Sequence, residues 1–152
     1  MEDITEPLSV KRWWRFKTQP SLLATFLNAK YCKRAHLVTK VPTPSDSHIW
    51  RYLTKARTKA EPNIIWKIQA GNSSFWWDNW TDKVALAKVV QGPAKSPKLL
   101  VKNFIHEGTW DTNKFAATIP PHLLDTVTKV DIGNKNLKDF PIWNLAEDVL
   151  LM

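Results

Sequence analysis

Residues 61–80 read EPNIIWKIQAGNSSFWWDNW, and the period of this stretch decides the fold. Ile64, Trp66 and Ile68 alternate with Ile65, Lys67 and Gln69, the two-residue repeat of a half-buried strand. Ala70-Gly71-Asn72 follows as a turn in which Gly71 can take a positive φ. Residues 73–78 then offer a second strand, with Phe75 and Trp77 on one face. The spacing predicts a β-hairpin over residues 63–78. Glu61-Pro62 stops the element before it, because a residue preceding proline is pushed out of the helical region.

Upstream the period is helical. Val10, Trp13, Trp14 and Lys17 open a short amphipathic segment that Pro20 interrupts. Ser21 is an N-cap for a second segment in which Leu22, Leu23, Phe26, Leu27, Ala29 and Lys30 form one stripe. Pro42 and Pro44 mark a loop over residues 39–47. A further helix runs from Asp46 or Ser47 to Ala60, with Ile49, Leu53, Ala56 and Ala60 on one face and Trp50 beside it.

Downstream, Gly92, Pro93 and Pro97 make residues 81–98 a loop. Short helices are predicted over residues 100–105, 112–118 and 121–130, with Pro121 suited to a first turn. The chain closes on Val149-Leu150-Leu151-Met152 with no cap or polar end, which reads as cut off. The expected fold class is therefore α+β, in one structural unit. A basic helical segment (11–60) packs on a Trp-rich hairpin segment (61–80), and the loop (81–98) leads to short helices (99–152). Trp50, Trp66, Phe75, Trp77 and Trp80 are the expected core that fixes the hairpin against the basic helix.

The 152 residues carry a formal charge of +8, and that charge sits at one end. Residues 1–60 hold 12 Lys+Arg and 4 Asp+Glu, whereas residues 61–152 hold 10 of each. Such asymmetry points to a polyanion-facing surface joined to a neutral packed region, or more blandly to a solvated helical face. No run approaches the roughly 20 apolar residues of a membrane span. MEDITEPLSVKRWW carries three acids and no apolar centre, unlike a secretory signal. The expected compartment is thus nuclear or cytoplasmic.

Catalytic chemistry finds no foothold. A single cysteine, Cys32, excludes an internal disulfide and any multi-thiolate zinc site. Cys32 and His36 share a helical spacing, but His48, His106 and His122 lie without ligand spacing. Asp46, Asp78 and Asp82 do not form the convergent set a two-metal enzyme needs. Four glycines leave no Gly-rich phosphate loop, and there is no G-x-S-x-G elbow. No enzyme, no metal and no cofactor is expected.

Basic residues interleaved with aromatics remain. Lys11, Arg12 and Arg15 flank Trp13 and Trp14; Lys30, Lys33 and Arg34 flank Tyr31; Arg51, Lys55, Arg57 and Lys59 follow Trp50 and Tyr52. Cations pair with phosphates and rings stack on bases, so these ten cations are the candidate RNA- or DNA-binding residues.

The order of motifs adds to this. FLNAKYCKRAH, SHIWRYLTKAR and EPNIIWKIQAGNSSFWWDNW together resemble the region after the polymerase domain in plant LINE-type (non-LTR) retrotransposon reverse transcriptases, leading into their zinc-binding segment. The matching positions are Ser47, Trp50, Trp66, Ile68, Gly71, Phe75, Trp76, Asp78 and Trp80. VKNFIHEGTWDTNKFAATIPPHLLDTVTKVDI and Phe140-Pro141-Ile142-Trp143 are similar to the stretches that follow in that family. Gln69 departs from the small residue usual there, and the polymerase aspartates and the Cys/His-rich segment are absent. The resemblance implies a non-catalytic connector that helps hold template or target nucleic acid. Two other readings stay open: a domesticated module whose exposed aromatics bind a protein, and a pseudogene product without stable fold.

Overall fold

The computed structural model describes residues 6–32, 36–92 and 95–144. They form an α+β fold whose chain divides into two compact units, residues 1–63 and 64–152, where one unit is expected from the sequence.

The first unit is helical. Helix α1 spans Glu6–Thr18, α2 Leu22–Tyr31 and α3 His48–Ala60. Both predicted caps form: Ser21 Oγ accepts from Ala24 N at 2.9 Å, and Ser47 Oγ from Trp50 N at 3.3 Å. A 3-10 turn over Glu61–Asn63 ends the unit at the predicted stop. Trp13, Leu27, Trp50, Leu53 and Ala60 are buried. The Trp50 ring stacks on Tyr31 at 4.7 Å and meets Phe16 edge-on at 6.1 Å. Two predicted apolar stripes are split. Ala24, Leu27 and Tyr31 carry α2 inward while Leu22, Leu23 and Phe26 face solvent, and Ile49 leaves the α3 stripe for the exterior.

The second unit begins with β1, Ile64–Lys67. Its partner is not residues 73–78, so the predicted hairpin over 63–78 does not exist. β1 pairs antiparallel with the last strand, Phe140–Trp143, in the register Ile64↔Trp143 to Lys67↔Phe140. Pro141, which has no N–H, faces Trp66, whose own N–H turns away from the pair to Asn79 O at 2.8 Å. The proline therefore costs the ladder no hydrogen bond.

Two side chains explain the changed pairing. The Asp139 carboxylate accepts from Gln69 N, Gly71 N, Ser73 N and Ser73 Oγ at 2.7–2.8 Å, taking the donors of the turn after β1. The Asp78 carboxylate accepts from Ser74 N at 2.8 Å and curls residues 74–78 into a turn. Residues 73–75 lie instead beside 99–101: Val101 N donates to Ser73 O, Phe75 N to Leu99 O, and Ser74 bridges Leu100.

The elements expected in the C-terminal part form with small changes. Leu86–Lys88 forms a 3-10 turn within the predicted loop, and it buries Leu86. Val101–Phe104 is a 3-10 turn, α4 spans Thr112–Thr118, and Pro121–Leu123 leads as a 3-10 turn into α5, Leu124–Thr128. A hairpin does form, but at Ile105–His106 (β2) and Thr109–Trp110 (β3), which leaves Phe140–Trp143 as β4. Its two-residue turn, Glu107-Gly108, has φ of +51° and +79°, the positive pair such hairpins require. The core gathers Phe75, Phe104 and Phe115 into a stack at 4.1 and 4.9 Å, with Trp80 bonded through Nε1 to Phe75 O.

Candidate nucleic-acid interface

The first unit carries the charge because its acids are few. Between residues 10 and 63 only Asp46 and Glu61 are acidic. Asp46 Oδ2 accepts from Thr43 N at 2.7 Å within its own loop. Glu61 accepts the Trp13 indole N–H at 2.8 Å and the Lys17 ammonium at 2.8 and 2.9 Å, with the Lys17 side chain only 3% exposed. These two carboxylates hold local structure together, Asp46 within its loop and Glu61 against Trp13 and Lys17.

The ten candidate cations divide. Lys11, Arg12, Arg15, Lys30, Lys55 and Lys59 are exposed. Arg57 is half-buried, and its Nη1 donates to Leu37 O at 2.8 Å and Lys40 O at 2.7 Å, clasping the loop before α3. Burial, the largest influence on it, lowers its pKa from the ordinary value, against the opposing pull of Glu61. Arg51 is half-buried with Nη2 at 3.1 Å from His48 Nδ1. Lys33 and Arg34 lie outside the described residues.

The aromatics of these clusters are mostly interior. Trp13 and Trp50 are fully buried, and Tyr31 is stacked on Trp50 with its hydroxyl accepting from Ser47 N at 3.0 Å. Those Ser47 hydrogen bonds hold the Tyr31 phenol below its ordinary pKa. Trp14 and Tyr52 are half-buried, Tyr52 with the Arg12 guanidinium over its ring at 5.5 Å.

One surface follows from α3. Positions 48, 52, 55 and 59 recur at four, three and four residues and therefore lie on one stripe of the helix. That stripe presents His48, Tyr52, Lys55 and Lys59, and Arg12 stands beside it through Tyr52. It spans about 16 Å at 1.5 Å per residue, long enough for successive phosphates of one strand.

The residues that carry the motif resemblance do structural work. Ser47 caps α3, and Trp50 fills the first core. Gly71 makes the turn, Asp78 caps the next one, and Phe75, Trp76 and Trp80 are buried in the second. Trp66 and Trp77, both expected in the core, are half-buried, and Trp76 takes the buried place expected of Trp77. Asp139, which organises that unit, directly precedes Phe140-Pro141-Ile142-Trp143, the stretch similar to the family's D-x-x-x-W step, and is not among the candidate site residues. Among the described residues no three His, Cys, Asp or Glu side chains converge as a metal site would, and no helix is long and apolar enough to cross a membrane. No protein-family model, curated protein or solved structure matches this chain.

Proposed function

We propose that the chain is a non-catalytic nucleic-acid-binding segment that grips the phosphate backbone through its first unit, as the connector of a LINE-type reverse transcriptase would. The observation that carries this reading is the α3 stripe of His48, Tyr52, Lys55 and Lys59 with Arg12 alongside, in a unit where Asp46 and Glu61 are engaged internally. The exposed cations Lys11, Arg15 and Lys30 extend the field around it. The resemblance of the motifs supports the same class of partner.

Salt titration tests it. Binding of a labelled duplex to the full chain should weaken linearly in log salt, with a slope of about −3 to −5 for four or five neutralised phosphates. The double substitution Lys55→Glu/Lys59→Glu should remove about two units of that slope. An affinity indifferent to salt, or equal in the double variant, defeats the reading.

A further inference from the structure

The first unit also holds a groove of about 660 Å³ that borders the phosphate stripe at Arg12, His48 and Tyr52 and adds an apolar floor and walls of its own. Phe16 and Leu53 form its buried floor, 7% and 4% exposed, and Leu23 and Ile49 form walls that are 46% and 51% exposed. Arg12 and Arg15 stand on its α1 side and His48 on its α3 side, and no carboxylate lines it among the described residues. The apolar surface continues along α2, where Leu22 is 91% and Phe26 59% exposed, Phe26 lying three residues from Leu23 and four from Leu22. Lys30, with its ammonium 5.9 Å from the Phe26 ring, ends that strip.

We infer that this groove is a docking site for an acidic amphipathic helix of a partner protein. Large aliphatic side chains left this exposed are costly unless covered, and a contiguous strip of them marks an interaction surface. Cations at both ends and an acid-free lining fit a ligand whose apolar face is flanked by Glu or Asp. Among its described residues the unit has no strand, so an extended peptide finds no sheet edge there to join. Bases fit less well, because they stack on open ring faces: the walls are aliphatic, and Arg12 lies over Tyr52. A second copy would set Arg12 and Arg15 against their own like charges.

The test uses the full chain and a fluorescein-labelled model peptide of about five turns, with leucines on one face and glutamates elsewhere. Saturable binding is expected, and Leu23→Ser/Ile49→Ser should weaken it about tenfold or more. Both positions are outward, so the thermal melt of that variant should match the parent. The same variant should keep its duplex affinity, while Lys55→Glu/Lys59→Glu should lose duplex and keep peptide. A scrambled peptide of equal composition binding equally well overturns the inference, as does peptide affinity unchanged in the leucine–isoleucine variant. It is also overturned if single-stranded RNA or anionic vesicles, and not the peptide, lose affinity in that variant.

Discussion

The Asp139 carboxylate accepts the amide N–H of Gly71 at 2.8 Å, joining positions 68 residues apart. The same carboxylate takes Gln69 N, Ser73 N and Ser73 Oγ, and Asp139 is only 8% exposed. One acid at the start of β4 thus fixes the turn that leaves β1, and the β1–β4 pairing follows. Asp139→Ala would leave these donors without the carboxylate and should destabilise the chain by about 3 kcal/mol or more, read in a urea melt. Ser73→Ala removes one of the four hydrogen bonds and should cost about 1 kcal/mol. Equal losses in the two variants would mean the clasp does not act as a unit.

Gly71 is constrained twice. Its φ is +92°, and a Cβ there would sit 2.6 Å from Lys102 N, whose own N–H donates to Gly71 O at 2.9 Å. Backbone strain of about 1–2 kcal/mol and a clash with main chain both oppose alanine. Gly108, at +79° with nothing near its missing Cβ, bears the strain alone. Gly71→Ala should therefore lower the urea midpoint well beyond Gly108→Ala.

Local signals were legible and distant ones were not. Ser21, Ser47 and Glu61-Pro62 set their helix ends through neighbours three or four residues away, so the sequence names them correctly. The partner of β1 depends on an acid far along the chain, and alternation in residues 73–78 cannot reveal that Asp78 curls them. The hairpin at 105–110 is signalled locally by Gly108 alone, because Glu107 is not a residue type that favours the positive φ it adopts. Among the candidate cations, composition separates none: Arg57 differs from Lys55 and Lys59 only because the loop carbonyls of Leu37 and Lys40 meet it.

The aromatic core ranks its own members. Phe104 is 1% exposed and lies between Phe75 and Phe115, so Phe104→Ala should cost about 3–5 kcal/mol. Trp66, which would carry a comparable loss if fully enclosed, is half-buried, and Trp66→Ala should cost clearly less. A urea melt in which Trp66→Ala is the worse of the two would contradict this ordering.

Lys17 and Glu61 form a buried pair that also holds the Trp13 indole. Glu61→Gln keeps an acceptor for that indole but faces the buried ammonium with a neutral amide, at a cost of about 3 kcal/mol. Lys17→Met/Glu61→Gln removes both charges together and should be more stable than the sum of the single losses predicts. Strict additivity in the double-mutant cycle would show that the two charges are not coupled.

Cys32 gives the first unit a pH dependence. Burial pushes its thiol above the ordinary pKa, against the weaker opposing pull of Lys40 and Arg57. At neutral pH the thiol is protonated folded or unfolded, and it contributes no slope. As pH rises past the unfolded thiol value of about 8.5, the unfolded chain releases a proton that the folded chain keeps. The unfolded state then binds fewer protons, so stability falls with pH until the folded pKa is passed. Other groups titrate in this range, and the difference between the parent and Cys32→Ala isolates the thiol. That difference in urea midpoint should drift against the parent as pH increases, and alkylation of the native chain should need higher pH than alkylation in urea. Parallel stability profiles and identical alkylation curves would place Cys32 in water.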